Sequence, residues 1–164
     1  MGADGWLADT RASYDTVAES YADLLRDALS GATYERAILG LFAELVRTSG
    51  GGPVADIGCG PGRITAYLHN LGVDAFGIDL SPAMIDLARR DHAGLRFEVG
   101  SMTDLDLTDS CVAGVLACKA GVQGSHHLRW AGPLLQVAPG AWQRVVRVLR
   151  RHSVVVSGAE VSKC

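Results

Sequence analysis

The run Asp56-Ile57-Gly58-Cys59-Gly60-Pro61-Gly62 constrains this chain more than any other segment. It follows the short apolar stretch Val54–Ile57 and leads into a helical pattern in which Ile64, Tyr67, Leu68 and Leu71 share a face. Glycines at such a strand-to-helix turn permit positive φ and let the backbone approach a ligand closely. In an open α/β sheet, ligands sit beyond the carboxyl ends of the strands, near the point where strand order reverses. The spacing of the turn narrows the ligand. A dinucleotide fingerprint, G-x-G-x-x-G, needs glycine at 63, where the chain has Arg63; a Walker loop needs G-K-[ST], and Gly62-Arg63-Ile64 does not supply it. The pattern D-x-G-x-G-x-G suits a ligand that brings a zwitterionic amino acid to the turn rather than phosphates. Asp79, 23 residues after Asp56 at the end of the next strand pattern, can accept both hydroxyls of a ribose through its two oxygens and would repel a 2′-phosphate.

The rest of the chain reads as alternating elements. Residues 12–29 form an amphipathic pattern with Val17, Tyr21, Leu24, Leu25 and Ala28 at three- and four-residue steps, stopped by Gly31. Thr33 can cap a second helix with Ile38, Leu41, Phe42, Leu45 and Val46 on one face. Strands are expected at Val54–Ile57, Val73–Ile78, Leu95–Val99 and Val112–Ala117. Ser81-Pro82 caps a helix over Ala83–Arg90, with Met84, Ile85, Leu87 and Ala88 available for burial. Strand–helix–strand–helix–strand at this spacing implies a doubly wound, mostly parallel α/β sheet with right-handed crossovers.

Three segments, VADIGCGPGRITAYL (54–68), GIDLSPAMIDLAR (77–89) and LRFEVGSMTDLDL (95–107), together with YDTVAESYADLL at the front, resemble the class I S-adenosylmethionine (SAM) methyltransferases of the small-molecule branch over residues 12–117. The resemblance implies a Rossmann-like fold, SAM as cofactor, and methyl transfer to a small-molecule acceptor. It implies that Gly58, Cys59 and Gly60 meet the methionine end of SAM through the backbone, that Asp56 supports its amino group, and that Asp79 holds the ribose. By the same resemblance Leu80 and Met84 border the adenine, Ser101 and Met102 flank its edge, Tyr14 and Tyr21 close the site from the front helix and reach the carboxylate, and Ala117 ends near the sulfonium. Many relatives carry Asp where Ser101 stands, so the adenine amine has a weaker acceptor here. The domain reading is one domain: a helical cap (1–50), a SAM-binding core (51–118), and a divergent basic tail (119–164).

Plain structural readings stand beside these. Tyr14 and Tyr21, seven residues apart on a helix, also suit core packing. Met84 and Met102 suit core filling. Cys59 suits a small residue in a tight loop. A nicotinamide-dependent oxidoreductase is the alternative enzyme class, disfavoured by Arg63.

The tail departs from the pattern. Net charge is −3 overall, but residues 119–164 carry seven Lys/Arg and one acid, Glu160. Within it, Val145–Leu149 and then Val154–Val156 suggest a helix and a fifth strand, with Arg151-His152-Ser153 as the turn between them. About five strands are therefore expected, without the C-terminal hairpin of a full class I sheet. A frameshifted or truncated non-catalytic remnant, a divergent native tail, and a basic helical face of Arg144, Arg147, Arg150 and Arg151 for an anionic partner all compete. A nucleic-acid partner is not the expectation. His126-His127 is the one histidine pair; adjacent residues point in different directions, so no metal is expected. The four cysteines form no C-x-x-C pair. With no signal-like start and no membrane-length apolar run, the expectation is a cytoplasmic protein without a membrane partner.

Overall fold

The structure, a computed structural model, describes residues 3–102, 104–107, 111–117, 149–157 and 160–163. Helices α1 (Ala3–Leu25), α2 (Ala28–Gly31) and α3 (Thr33–Thr48) precede strand β1 (Val54–Ile57). There follow α4 (Arg63–Asn70), β2 (Ala75–Asp79), α5 (Pro82–Asp91), β3 (Arg96–Val99), β4 (Val112–Ala117), β5 (Leu149–Ser157) and β6 (Glu160–Lys163). The six strands form one sheet in the order β3-β2-β1-β4-β5-β6. The first five are parallel to their neighbours, and β6 runs antiparallel to β5. Strand order reverses between β1 and β4, which puts the glycine turn after β1 at the switch point.

The sheet is covered on both faces, so β1 and β4 are buried along their whole length and read as unbroken apolar runs apart from Asp56. On one face Leu39, Phe42 and Val46 of α3 and Ile64 and Leu68 of α4 pack on Val54 and Leu116. Ile57, Phe76, Ile78, Val112 and Val115 form a second cluster. Each large side chain so buried contributes about 1.5–3 kcal/mol. Local signals end the helices. The Val73 N–H donates to the Leu68 carbonyl at 3.1 Å across Gly72, whose φ of 80° closes α4. Ser81 caps α5, its Oγ accepting from the Met84 N–H at 3.1 Å, with Pro82 in the first turn.

Several expectations shift. Helix α1 begins at Ala3, well before residue 12, and Gly31 lies inside the short α2. The buried face of α1 is Ala18, Ala22 and Leu25, while Val17 and Leu24 are exposed. In α3, Leu41 is exposed, and Leu39 and Ala43 join Phe42 and Val46 inside. The tail differs most. Residues 118–148 lie outside the described residues, and with them His126, His127, Arg144, Arg147 and the expected helix up to Val148. Leu149 opens β5, so Arg151-His152-Ser153 is strand rather than turn, and Arg150 and Arg151 are not on a helix. The physical reason is the ladder: Val154–Val156 pair with Gly114–Leu116, and the residues before them join β4 through a register shift near Val112. Strand β6 makes the sheet one strand larger than the sequence suggests, with an antiparallel β5–β6 pair at its end. Among the described residues, no helix is long and apolar enough to cross a membrane.

Candidate functional site

Ile57 and Ile78 are in register, so the turns leaving β1 and β2 face each other. The Gly58 and Cys59 N–H groups donate to the Ile78 carbonyl at 2.7 and 3.1 Å, turning the chain out of the strand. The Gly60 N–H then donates to Asp79 Oδ2 at 2.8 Å, and the Ser81 N–H donates to Asp79 Oδ1 at 2.9 Å. One carboxylate thus ties the glycine turn to the start of α5. Each of its oxygens keeps further acceptor capacity. Burial pushes the Asp79 pKa up, and the backbone donors from Ser81, Gly60 and Leu80 oppose that.

The glycines divide into two kinds. Among the described residues, a Cβ at Gly58 (φ 76°) would meet nothing within 4 Å, and one at Gly60 (φ 53°) only the Tyr21 ring at 4.0 Å. A Cβ at Gly62 (φ 83°) would lie 2.7 Å from the Phe97 ring. No described residue therefore crowds Gly58 or Gly60, while Gly62 is closed by packing.

Asp56 is fully buried and accepts a hydrogen bond from Thr65 Oγ1 at 2.6 Å. Burial pushes its pKa up to about 6, against the lowering effects of Thr65 and the nearby Arg63 charge. Arg63 opens α4 and reaches back to α3, where its Nη2 donates to Glu35 Oε1 at 3.2 Å. This pair is largely shielded from solvent. Arg63 Nη1 is buried with no hydrogen-bond partner among the described residues. A buried charged donor left unpaired is costly and rare, and it selects for an anionic acceptor.

Tyr14 and Tyr21 are half-buried on α1, with rings edge to face and centroids 6.5 Å apart. Tyr21 lies over Gly60, and burial together with Tyr14 and Asp79 pushes its pKa up to about 12, so its phenol keeps its proton at neutral pH. Cys59 turns its side chain into the core among Ile85, Ala88 and Phe97. Burial drives its thiol pKa far upward, so what it offers the turn is backbone. Leu80 is half-buried between Asp79 and Ser81. Met84 is fully buried in the seam of α1 and α5 with Ala18, Ala22 and Leu87. Ser101 is half-buried just past β3 and bridges to Asp104, and Met102 beside it is exposed. The Gly100 N–H donates to the Asp79 carbonyl at 2.9 Å, keeping this segment next to the end of β2. Ala117 is buried at the end of β4, whose Leu116 is in register with Asp56.

The structure thus brings the backbone of Gly58, Cys59 and Gly60, the Asp79 carboxylate and the Tyr21 ring together where the turns leaving β1 and β2 meet, with Tyr14 against Tyr21 and Asp56 buried one residue before the end of β1. It also adds residues the sequence did not single out. Thr65 and Glu35 carried no signal, since each becomes informative only through its partner. Arg63 counted only as a missing glycine, yet a cation beside a turn built for a zwitterion was itself a clue. Asp15 looked like one more acid on α1.

The sequence profile of a family described as a methyltransferase domain matches residues 54–152. A malonyl-[acyl-carrier protein] O-methyltransferase from Pectobacterium atrosepticum is 40% identical over a match covering 43% of this chain and 32% of that protein. The chain therefore spans about a third of this curated relative's length. A TehB-like SAM-dependent methyltransferase from Corynebacterium glutamicum is 27% identical and superposes with a TM-score of 0.57, covering 84% of this chain and 70% of that one. A sugar N-methyltransferase from a Streptoalloteichus species shares the fold at a TM-score of 0.59 and 23% identity, over 82% of this chain and 51% of its own.

Proposed function

We propose that this chain, which belongs to the methyltransferase-domain family, binds SAM in the crevice between the turn after β1 and the end of β2 and serves methyl transfer to a small-molecule acceptor. The observation that carries this reading is the Gly60 N–H to Asp79 hydrogen bond at 2.8 Å, which sets the acid assigned here to the ribose directly against the glycine turn. The donor set fits each part of the ligand. Backbone at Gly58–Gly60 would meet the methionine end, on a side of the turn that no described side chain crowds. Asp56 would answer the amino group, and the unpaired Arg63 Nη1 and the Tyr21 phenol would answer the carboxylate. Asp79 would take the ribose hydroxyls with its remaining lone pairs. Leu80, Ser101 and Met102 would border the adenine. Met84, sealed in the α1–α5 seam, would support that wall from beneath.

When bound, SAM supplies a methyl group already activated by its sulfonium. The work left to the chain is orientation of the two reactants and exclusion of water. Helix α1, with Tyr21 over Gly60 and Tyr14 packed against Tyr21, would serve the second task. A base is required only if the acceptor must lose a proton for the attack.

Calorimetry with wild type and Asp79→Ala tests the assignment. Hydrogen bonds to charged groups contribute about 1.5–3 kcal/mol, so the variant is expected to bind SAM at least about tenfold more weakly. Equal affinity of the two proteins would remove Asp79 from the site.

A further inference from the structure

We infer that Asp15 is a positioning residue that fixes α1 over the crevice, an inference that rests on the SAM site proposed above. Asp15 is one residue from Tyr14 and six from Tyr21 on the same helix. Its Oδ1 accepts from Ser81 Oγ at 2.5 Å and from the Ala83 N–H at 3.2 Å. Ser81 is fully buried and in turn accepts from the Met84 N–H, while its own N–H donates to Asp79. A continuous set of hydrogen bonds therefore runs from α1 through Asp15 and Ser81 to Asp79 and on to Gly60. The acid that would hold the ribose and the helix that would cover the ligand share one serine.

What else holds α1 down is mainly apolar packing. Ala18 and Ala22 and the half-buried rings of Tyr14 and Tyr21 pack against Met84 and Leu87 of α5, and Leu25 is buried near the end of α1, with Trp6, Val17 and Leu24 turned outward. A further polar link, Arg90 to Glu19 at 3.2 Å, is exposed and screened. Asp15 is different: its anchor is inside, and its charge sits at the N-terminus of a ten-residue helix, where backbone N–H groups and the helix dipole favour an anion. A surface helix whose internal polar anchor is removed opens locally without unfolding the sheet. Entry of a ligand beneath Tyr21 requires such an opening, and retention requires that the cover close in one pose.

The test uses the full chain as wild type, Asp15→Ala and Asp15→Asn, with amide hydrogen exchange without ligand and SAM affinity by calorimetry. Asp15→Ala is expected to speed exchange along residues 14–25 at least tenfold, to leave β1 and β2 amides unchanged, and to weaken SAM binding about tenfold. Asp15→Asn keeps an acceptor oxygen at the same place and is expected to stay within about threefold of wild type in both readouts. Unchanged α1 exchange in Asp15→Ala would overturn the anchor, as would an asparagine variant as impaired as the alanine one. Equal acceleration in β1 and β2 would reduce Asp15 to a general stabiliser and also overturn it. If SAM binds wild type and Asp15→Ala equally, the role toward the ligand fails while the site stands. If wild type does not bind SAM although α1 exchange depends on Asp15, the site fails and the anchor stands.

Discussion

Gly62→Ala and Gly58→Ala separate the two kinds of glycine in the turn. Both residues sit in the left-handed region, at φ 83° and 76°. Forcing an L-residue there costs about 1–2 kcal/mol. At Gly58 the added methyl meets nothing within 4 Å among the described residues, so backbone strain sets the cost to the fold. At Gly62 it would lie 2.7 and 2.8 Å from two atoms of the Phe97 ring and 3.1 Å from the Ala88 Cβ. Phe97 is only 3% exposed and enclosed by Cys59, Ile85 and Ala88, so the ring has nowhere to retreat. Overpacking of this kind adds about 1–3 kcal/mol. The expected loss is thus about 2–5 kcal/mol for Gly62→Ala against about 1–2 for Gly58→Ala. Urea unfolding followed by circular dichroism measures both. The ranking should invert for the ligand: a methyl at Gly58 enters the open space assigned to SAM and should weaken binding by more than its effect on stability. Equal destabilisation of the two variants would refute the packing argument, and unchanged SAM affinity in Gly58→Ala would refute the ligand's placement.

The pKa of Asp56 is raised from 3.8 to about 6 by burial, so the folded chain holds that proton more tightly than the unfolded chain and loses stability as pH rises from about 4 through about 6. The loss should be on the order of 3 kcal/mol, and denaturation across that window should show it in wild type and not in Asp56→Asn; identical pH profiles would mean the carboxyl is not the source. Arg63→Met leaves Glu35 buried without its partner and should cost about 3–5 kcal/mol, whereas Arg63→Met/Glu35→Met should recover most of it. Calorimetry on that double variant should still show SAM binding reduced tenfold or more, and wild-type affinity would remove Arg63 from the carboxylate.

The core of the molecule was legible because its signals are local. Val54–Ile57, the glycine turn, Ser81-Pro82 and Val112–Ala117 each specify an element through a few neighbouring residues, and the structure places them where the pattern does. The faces of α1 and α3 were legible in part: Leu25, Phe42 and Val46 lie inside as the pattern has them, but hydrophobicity alone cannot fix the edges of the stripe that meets a neighbour. Small Ala18 and Ala22 go inside since they let α1 lie close on α5, and larger Val17 and Leu24 stay out. Met84 illustrates the same limit: its helical spacing marks it for burial, but only the tertiary seam decides between core and ligand wall. Arg63, Glu35 and Asp15 matter through partners 28 and 66 residues away, a separation no local pattern encodes. Strand β5 was half legible, its three valines being clear and the preceding Arg151-His152-Ser153 reading as a turn until the ladder with β4 claims it.

The central claim is that an open glycine turn and the Asp79 carboxylate together form a SAM site. Titration of the folded wild-type chain with SAM and, separately, with NAD tests it most directly. The account predicts one saturable SAM site in the micromolar range, about −8 kcal/mol, and no saturable heat with NAD. Saturable binding of NAD alone, or a folded chain that takes up neither, would contradict it.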